Sequence, residues 1–251
     1  MGGHLYLQLP GFLRAASYRP SCDPRNGLFQ NHKACSNTVF EYHEKLENDA
    51  EATVFNNFVA SYSGNDIPWT TLYNTEAILA DYAGGPMLVD IGGGQGKDID
   101  SFRLAHPGYE EHLFLQDMPS VLEQATCDAK VRRVAHNFFK PQPIRGSRVY
   151  YLHNVLLDWN DEDALVILRH IRDAMTPGYS KLLVHDMLMP RSGFNRLQTS
   201  VDMQIWVMTS GRVRTEDEFE QIFHKAGLRV VKVDSHPLSA TSIVELGVRS
   251  F

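Results

Sequence analysis

Met87-Leu88-Val89-Asp90-Ile91-Gly92-Gly93-Gly94-Gln95-Gly96 reads as a buried strand running into a glycine-rich turn, with an acidic residue near the strand end. Gly92, Gly94 and Gly96 alternate, giving Asp-x-Gly-x-Gly-x-Gly from Asp90. Glycines admit unusual dihedrals and let a ligand approach the backbone closely. A helix that follows such a turn offers free N–H groups to an anionic part of the ligand. The stretch therefore predicts a nucleotide-like cofactor on an α/β sheet.

The spacing narrows the cofactor. A dinucleotide fingerprint needs G-x-G-x-x-G, and counting from Gly92 its last position is Lys97. A phosphate-binding P-loop needs Gly-Lys-Ser/Thr, and here Gly96-Lys97 is followed by Asp98. A second acidic residue stands about 20 residues on, as doubly wound folds require for ribose hydroxyls. It is Asp117, at the end of a second strand, Leu113-Phe114-Leu115-Gln116-Asp117.

Working outward, strands are predicted at 87–91, 112–116, 132–135, 148–154, 181–187, 228–235 and 242–248, with helices between most of them. Alternating strands and helices imply a mostly parallel sheet covered on both faces. Asn160 is a predicted N-cap, with Asp161, Glu162 and Asp163 in the first turn where the helix dipole favours anions. Leu165, Leu168, Ile171 and Met175 form its apolar stripe, and Thr176-Pro177-Gly178 stops it. Upstream, helices are predicted over Thr38–Leu46 and Ala52–Tyr62, the second from Val54, Phe55, Phe58 and Val59 at helical spacing. Residues 1 to about 45 are otherwise polar, proline-bearing and poorly periodic.

The 251 residues suffice for one sizeable core, or one domain plus a short extension. A net charge of −6 argues against a nucleic-acid partner, which favours a basic face. No 18-residue apolar run predicts a membrane span. The opening Met-Gly-Gly-His-Leu-Tyr-Leu-Gln-Leu-Pro lacks the basic flank and apolar stretch of a secretory signal. Cys22, Cys35 and Cys127 are scattered, without metal-ligand spacing. No metal site is expected, and a reducing cytoplasm is the simplest setting.

From about residue 50 onward the chain resembles the class I S-adenosylmethionine-dependent small-molecule O-methyltransferases of fungi and plants. The likeness rests on Val89–Gly96, on Leu115-Gln116-Asp117-Met118-Pro119-Ser120-Val121 and on Phe138-Phe139-Lys140-Pro141-Gln142-Pro143. Val149-Tyr150-Tyr151-Leu152, Asp158-Trp159-Asn160-Asp161-Glu162, His185-Asp186-Met187-Leu188-Met189-Pro190 and Gly211-Arg212-Val213-Arg214-Thr215 extend it. The resemblance implies a Rossmann-like seven-stranded sheet with an antiparallel last strand. It implies S-adenosylmethionine as cofactor, held at Asp90, Gly92, Gly94 and Gly96, with Asp117 on the ribose and Asn137-Phe138 on the adenine. The family has aspartate where Asn137 stands, and the asparagine amide oxygen can still accept from an adenine amino group. The implied partner is a small molecule; nucleic acid and membrane are not expected.

The catalytic positions depart from that family. Its base, a histidine directly before Asp-Trp, corresponds to Leu157, which accepts no proton. Of the two acidic residues flanking the histidine, one is kept as Asp186 and the other is Val213. His153, at the end of the fourth strand, stands where the family has a basic residue beside the cofactor; it is read as a cofactor contact and as a displaced base or simple hydrogen-bond donor. Side-chain alternation sends His185 and Asp186 to opposite faces, so His185 is expected to pack against a helix.

The resemblance further implies two parts: residues 1–48 as a residual N-terminal segment, helical or irregular, and residues 49–251 as the cofactor-binding domain. Most of the family's winged-helix dimerisation domain is then missing, which weakens the expected homodimer. Three functions follow: methyl transfer to a small aromatic or polyketide-type hydroxyl in secondary metabolism; a pericyclase or cyclase that uses S-adenosylmethionine without methyl transfer; or a non-catalytic truncated paralogue.

Overall fold

The computed structural model describes residues 2–19, 21–46, 50–51, 53–55, 57, 67–237 and 239–249. Its strands are β1 (Leu88–Ile91), β2 (Leu113–Asp117), β3 (Arg132–Ala135), β4 (Val149–His153), β5 (Lys181–Met189), β6 (Arg214–Thr215), β7 (Leu228–Ser235) and β8 (Thr241–Val248). They form one sheet in the order β3-β2-β1-β4-β5-β8-β7, with β6 attached to β5. All pairings are parallel except those of β8, which runs against both β5 and β7. The seven expected strands and the antiparallel last strand are present. The addition is β6, whose two residues are too few to show periodicity. Its pairing of Arg214 with Leu188 and of Thr215 with Met189 carries β5 two residues past its expected end.

The helices are α1 (Gly2–Ala15), α2 (Leu28–Lys33), α3 (Val39–Glu44), α4 (Trp69–Leu72), α5 (Glu76–Leu79), α6 (Lys97–Ala105), α7 (Pro119–Leu122), α8 (Asp161–Ala174), α9 (Arg196–Thr209) and α10 (Glu216–Lys225). Local chemistry sets their starts. The Asn160 side chain caps α8 by accepting from Asp163 N–H at 2.9 Å. In α3, Thr38 and Glu41 close a reciprocal capping box. The buried stripe of α8 is Ala164, Ile167, Leu168, Ile171 and Ala174. Leu165 lies at its margin, and Met175 is the C-cap.

Side-chain alternation along the strands gives the sheet two apolar faces. One carries Val89, Ile91, Tyr150, Leu152, Leu182 and Val184 beneath α8 and α10. The other carries Leu88, Val149, Tyr151, Leu183 and Ile243 beneath Trp69, Ile99 and Phe102. Each fully buried Leu or Ile contributes about 1.5–3 kcal/mol. The chain winds outward from β1 to β3, then returns to lay β4 on the other side of β1. Ligands of open α/β sheets bind at such a switch point, beyond the strand carboxyl ends.

The N-terminal region is more regular than its sequence suggests. α1 is a 14-residue helix despite Pro10 inside it. Leu5, Leu28, Phe29, Val39 and Phe55 share a third core with Val207 and Met208 of α9. The described residues between 50 and 57 are helical, with Phe55 buried and Val54 exposed. The rest of the helix expected over Ala52–Tyr62 lies outside the described residues.

Candidate active site at the carboxyl end of the sheet

The glycine turn leaves β1 at the switch point. Gly92 and Gly93 N–H both donate to the Gln116 carbonyl, at 2.8 and 3.2 Å, tying the turn to β2. Gly92, Gly94 and Gly96 all have positive φ. At Gly94 this aims its N–H at Asp117 Oδ2, 2.8 Å away. Gly93 needs its missing side chain for a different reason. A Cβ there would lie 2.5 Å from the Asp90 carboxyl and 2.6 Å from Leu115 Cδ1. Sequence reading singled out the alternating glycines and passed over this one, because only the packing beneath the turn reveals the need.

The turn is ringed by acid. Asp90 is fully buried, and neither carboxylate oxygen has a well-formed hydrogen bond. Burial drives its pKa well above the ordinary carboxylate value, and the nearby Asp98 and Asp117 push the same way. Asp117 is also raised, chiefly by burial and against the pull of the Met118 and Gly94 N–H groups. Asp98 and Asp100 occupy the first turn of α6, where a phosphate would otherwise seat. Polyphosphates are poorly matched to this ring. S-adenosylmethionine, with a sulfonium and an ammonium against one carboxylate, matches it, and the orphaned Asp90 carboxyl awaits a cationic or donor group. Asn137 is exposed just after β3, its Oδ1 accepting from Phe139 N–H at 2.9 Å. Phe138 lies against Gly92, with ring Cε1 3.7 Å from where a Cβ would stand. Among the described residues, no group of three or more His, Cys, Asp or Glu side chains is placed to hold a metal ion.

His153 belongs to the same face of the sheet as Asp90. Its Nδ1 lies 2.6 Å from Asp98 Oδ2, and its buried Nε2 has no hydrogen-bond partner. His153 and His185 are register partners on β4 and β5, so their rings stack at 3.9 Å and 12°. His185 is bracketed by Tyr151 Oη at 2.7 Å and Thr241 Oγ1 at 2.8 Å, and burial lowers its pKa well below the usual histidine value. Alternation thus separates His185 from Asp186 as expected. Its partner is an imidazole and not the expected helix, because parallel register sets the two histidines side by side. Asp98 is a functional candidate missed in the sequence; the Gly96-Lys97-Asp98 string carries no hint that its carboxyl reaches β4.

Asp186 faces the opposite way, toward the 3₁₀ turn Leu156–Asp158. This turn is clamped by Arg214, which is fully buried and donates to the Leu156 carbonyl at 2.7 Å and the Trp159 carbonyl at 2.6 Å. Arg212 N–H donates to the Leu157 carbonyl at 2.9 Å, and Gly211 leaves room for that carbonyl, 2.2 Å from where its Cβ would be. Leu157 is buried, and Val213 packs with Met187 and Val201. Burial drives the Asp186 pKa well above the carboxylate range; Arg214 opposes the rise, Asp158 adds to it, and the Leu156 and Leu157 N–H groups oppose it. Asp158 is raised to about 7 by burial, with the Thr209 hydroxyl opposing. The structure thus brings Asp186 to Leu157 on one face and sets Asp90, Asp98 and His153 on the other, while Val213 stays apart in its contact with Met187.

The profile of the O-methyltransferase domain matches residues 24–229. The chain belongs to the O-methyltransferase family. Among curated members of this O-methyltransferase family it is similar to the O-methyltransferase mfmE of Annulohypoxylon moriforme, at 35% identity over 242 residues, covering 96% of this chain and 60% of that one. Among solved structures it is similar to OxaC in complex with SAH and oxaline, with a TM-score of 0.88, 26% identity and coverage of 98% of this chain and 63% of that chain. A structure described as a pericyclic reaction enzyme superposes with a TM-score of 0.85 at 25% identity, covering 98% and 64%. The chain therefore spans about three fifths of the length of these relatives.

Proposed function

We propose that this chain binds S-adenosylmethionine at the glycine turn and transfers its methyl group to a phenolic hydroxyl of a small aromatic or polyketide-type metabolite. The observation that carries the reading is the acidic ring of Asp90, Asp98 and Asp117 around a tight turn at the switch point, which suits a cationic nucleoside and repels polyphosphates. Family membership and the OxaC complex with SAH support it. When bound, the cofactor supplies an electrophilic methyl group.

The chain's own residues do the rest. Asp117 accepts from ribose hydroxyls, Phe138 covers the adenine and Asn137 accepts from its amino group. Asp90 and the Asp98–His153 pair hold the amino-acid end. His153 sits on the sheet face away from Leu157, so its role is cofactor contact, not base. Asp186 shapes the substrate side. Leu5, Leu28, Phe29 and Val39 share a core with Phe55 and with Val207 and Met208 of α9; we assign residues 1–48 to closing the substrate side and residues 49–251 to carrying the cofactor. Exclusion of water and alignment of a hydroxyl against the methyl group contribute strongly, since effective molarities reach about 10⁵ M or more. No described helix is long and apolar enough to cross a membrane, and we place the protein in the cytoplasm.

A second reading is favoured by the apolar Leu157 and Val213 and by the likeness to a pericyclic reaction enzyme. The bound sulfonium then polarises a substrate while the methyl stays in place. Incubation with methyl-labelled S-adenosylmethionine and a panel of acidic phenols separates the two. Label in the organic product establishes transfer. Cofactor-dependent turnover with no label transferred establishes the second reading, and no calorimetric binding of S-adenosylhomocysteine removes both.

A further inference from the structure

The turn after β4 contains a proton acceptor that the Leu157 position lacks. Four carboxyls lie around it, of which Asp161 is taken up by the Arg212 and Arg214 guanidiniums. Asp186, on β5, is buried to 1% exposure. Asp202, on α9, has its Oδ1 committed to Val213 N–H at 2.9 Å. Asp158, at the end of the 3₁₀ turn, keeps part of its surface open. It follows directly on Leu157, at the carboxyl edge of the sheet where a substrate must lie to meet the glycine turn. The turn cannot swing away. Arg214 grips it at the Leu156 and Trp159 carbonyls, Arg212 N–H holds the Leu157 carbonyl, and Gly211 presses beneath the Leu157–Asp158 peptide.

From this placement we infer that Asp158 is the catalytic proton acceptor for the substrate hydroxyl, in place of a histidine at position 157. The inference rests on the methyl-transfer reading above. In the step, the substrate O–H bond breaks and its electron pair stays on oxygen, giving the nucleophilic phenolate. The proton bonds to the Asp158 carboxylate and then passes to water, restoring the carboxylate. The groups facing Asp158 support this. Asp158 and Asp186 on β5 disfavour being charged together, the Thr209 hydroxyl on α9 lies beside the Asp158 carboxyl, and the Arg214 guanidinium on β6 holds the Leu156 and Trp159 carbonyls on either side of it. Burial sets the Asp158 pKa at about 7, and a general base works best when its pKa is near the working pH. Two carboxyls in environments of different depth, one closed and one part-open, divide the roles of structural acid and working base.

The test uses the full chain as unmodified protein, Asp158→Asn and Asp158→Glu. Carboxyl ¹³C resonances of labelled aspartate are followed with pH, alongside pH profiles of kcat/KM for any methylated phenol and calorimetry with S-adenosylhomocysteine. The expected titration has one aspartate midpoint near neutrality that disappears in Asp158→Asn. Asp158→Asn then loses kcat/KM by roughly 10²-fold or more, the usual range for general-base removal, together with the acid limb of the profile. Asp158→Glu keeps that limb, and cofactor affinity is the same in all three proteins. Titration of Asp158 in the ordinary carboxylate range overturns the inference, and this measurement on unmodified protein stands even if Asp158→Asn fails to fold. An unchanged rate and pH limb in Asp158→Asn overturn it while leaving methyl transfer intact. Absence of transfer by the unmodified protein removes the reading beneath it instead.

Discussion

Replacing Gly93 by alanine places a methyl carbon 2.5 Å from the Asp90 carboxyl and 2.6 Å from Leu115 Cδ1, both well inside van der Waals contact. The φ of Gly93 is not positive, so the whole effect is steric. Neither neighbour can yield cheaply. Asp90 is fully buried on a strand bonded on both sides, in register with Leu115 of β2 and Tyr151 of β4. The turn must therefore lift, taking with it the Gly94 N–H that holds Asp117. Overpacking of this kind costs about 1–3 kcal/mol. If that strain falls on cofactor binding, affinity for S-adenosylhomocysteine drops about 5- to 150-fold, at about 1.4 kcal/mol per factor of ten. Isothermal calorimetry on Gly93→Ala measures it. Adding Leu115→Ala removes one of the two clashes and restores part of the affinity. Gly93→Ala binding as tightly as the unmodified protein, at the same melting temperature, would refute the steric argument.

Asp98→Asn weakens the hold on His153 Nδ1 and is expected to lower S-adenosylhomocysteine affinity several-fold, read by calorimetry, with a shifted His153 imidazole resonance in NMR. Arg214→Met leaves the Trp159 carbonyl without its guanidinium donor, strips one of two donors from the Leu156 carbonyl and removes the positive charge that acts on Asp186. A stability loss of about 3–5 kcal/mol in urea denaturation is expected, as when one partner of a buried charged network is removed. The raised pKa of Asp158 also sets a pH dependence of stability. The unfolded carboxyl titrates near 3.9 and the folded one at about 7, so its contribution is fully present below about pH 4 and is lost as pH rises toward 7. The loss is on the order of 4 kcal/mol at most. Asp158→Asn therefore flattens the slope of melting temperature between pH 4 and 7 and is the more stable protein at pH 8; a slope equal to that of the unmodified chain would contradict the burial. Leu157→His puts an acceptor into the clamped turn and is expected to raise methyl transfer in labelled-cofactor assays. Val213→Glu added to it costs stability, because Val213 packs on Met187 and Val201.

What could be read from the chain itself was periodic or rigidly spaced. The strand 88–91 with Asp90 inside it, the alternating glycines and Asp117 at the end of β2 are local patterns, and local patterns fix strand, turn and cofactor class. The same holds for the Asn160 cap and the acidic first turn of α8. Four things needed the tertiary structure. β6 is a strand only because β5 runs on to receive it. Gly93 is obligatory only because Asp90 and Leu115 come up beneath it. His153 meets Asp98 and His185 only because β4 lies between β1 and β5 in a register that aligns the two histidines. Charge state is the clearest case. In the sequence Asp90, Asp158 and Asp186 are three ordinary carboxylates. Packing makes one an orphan at the glycine turn, one a buried acid and one a group poised near neutrality, because desolvation depends on what surrounds a side chain and not on its neighbours along the chain.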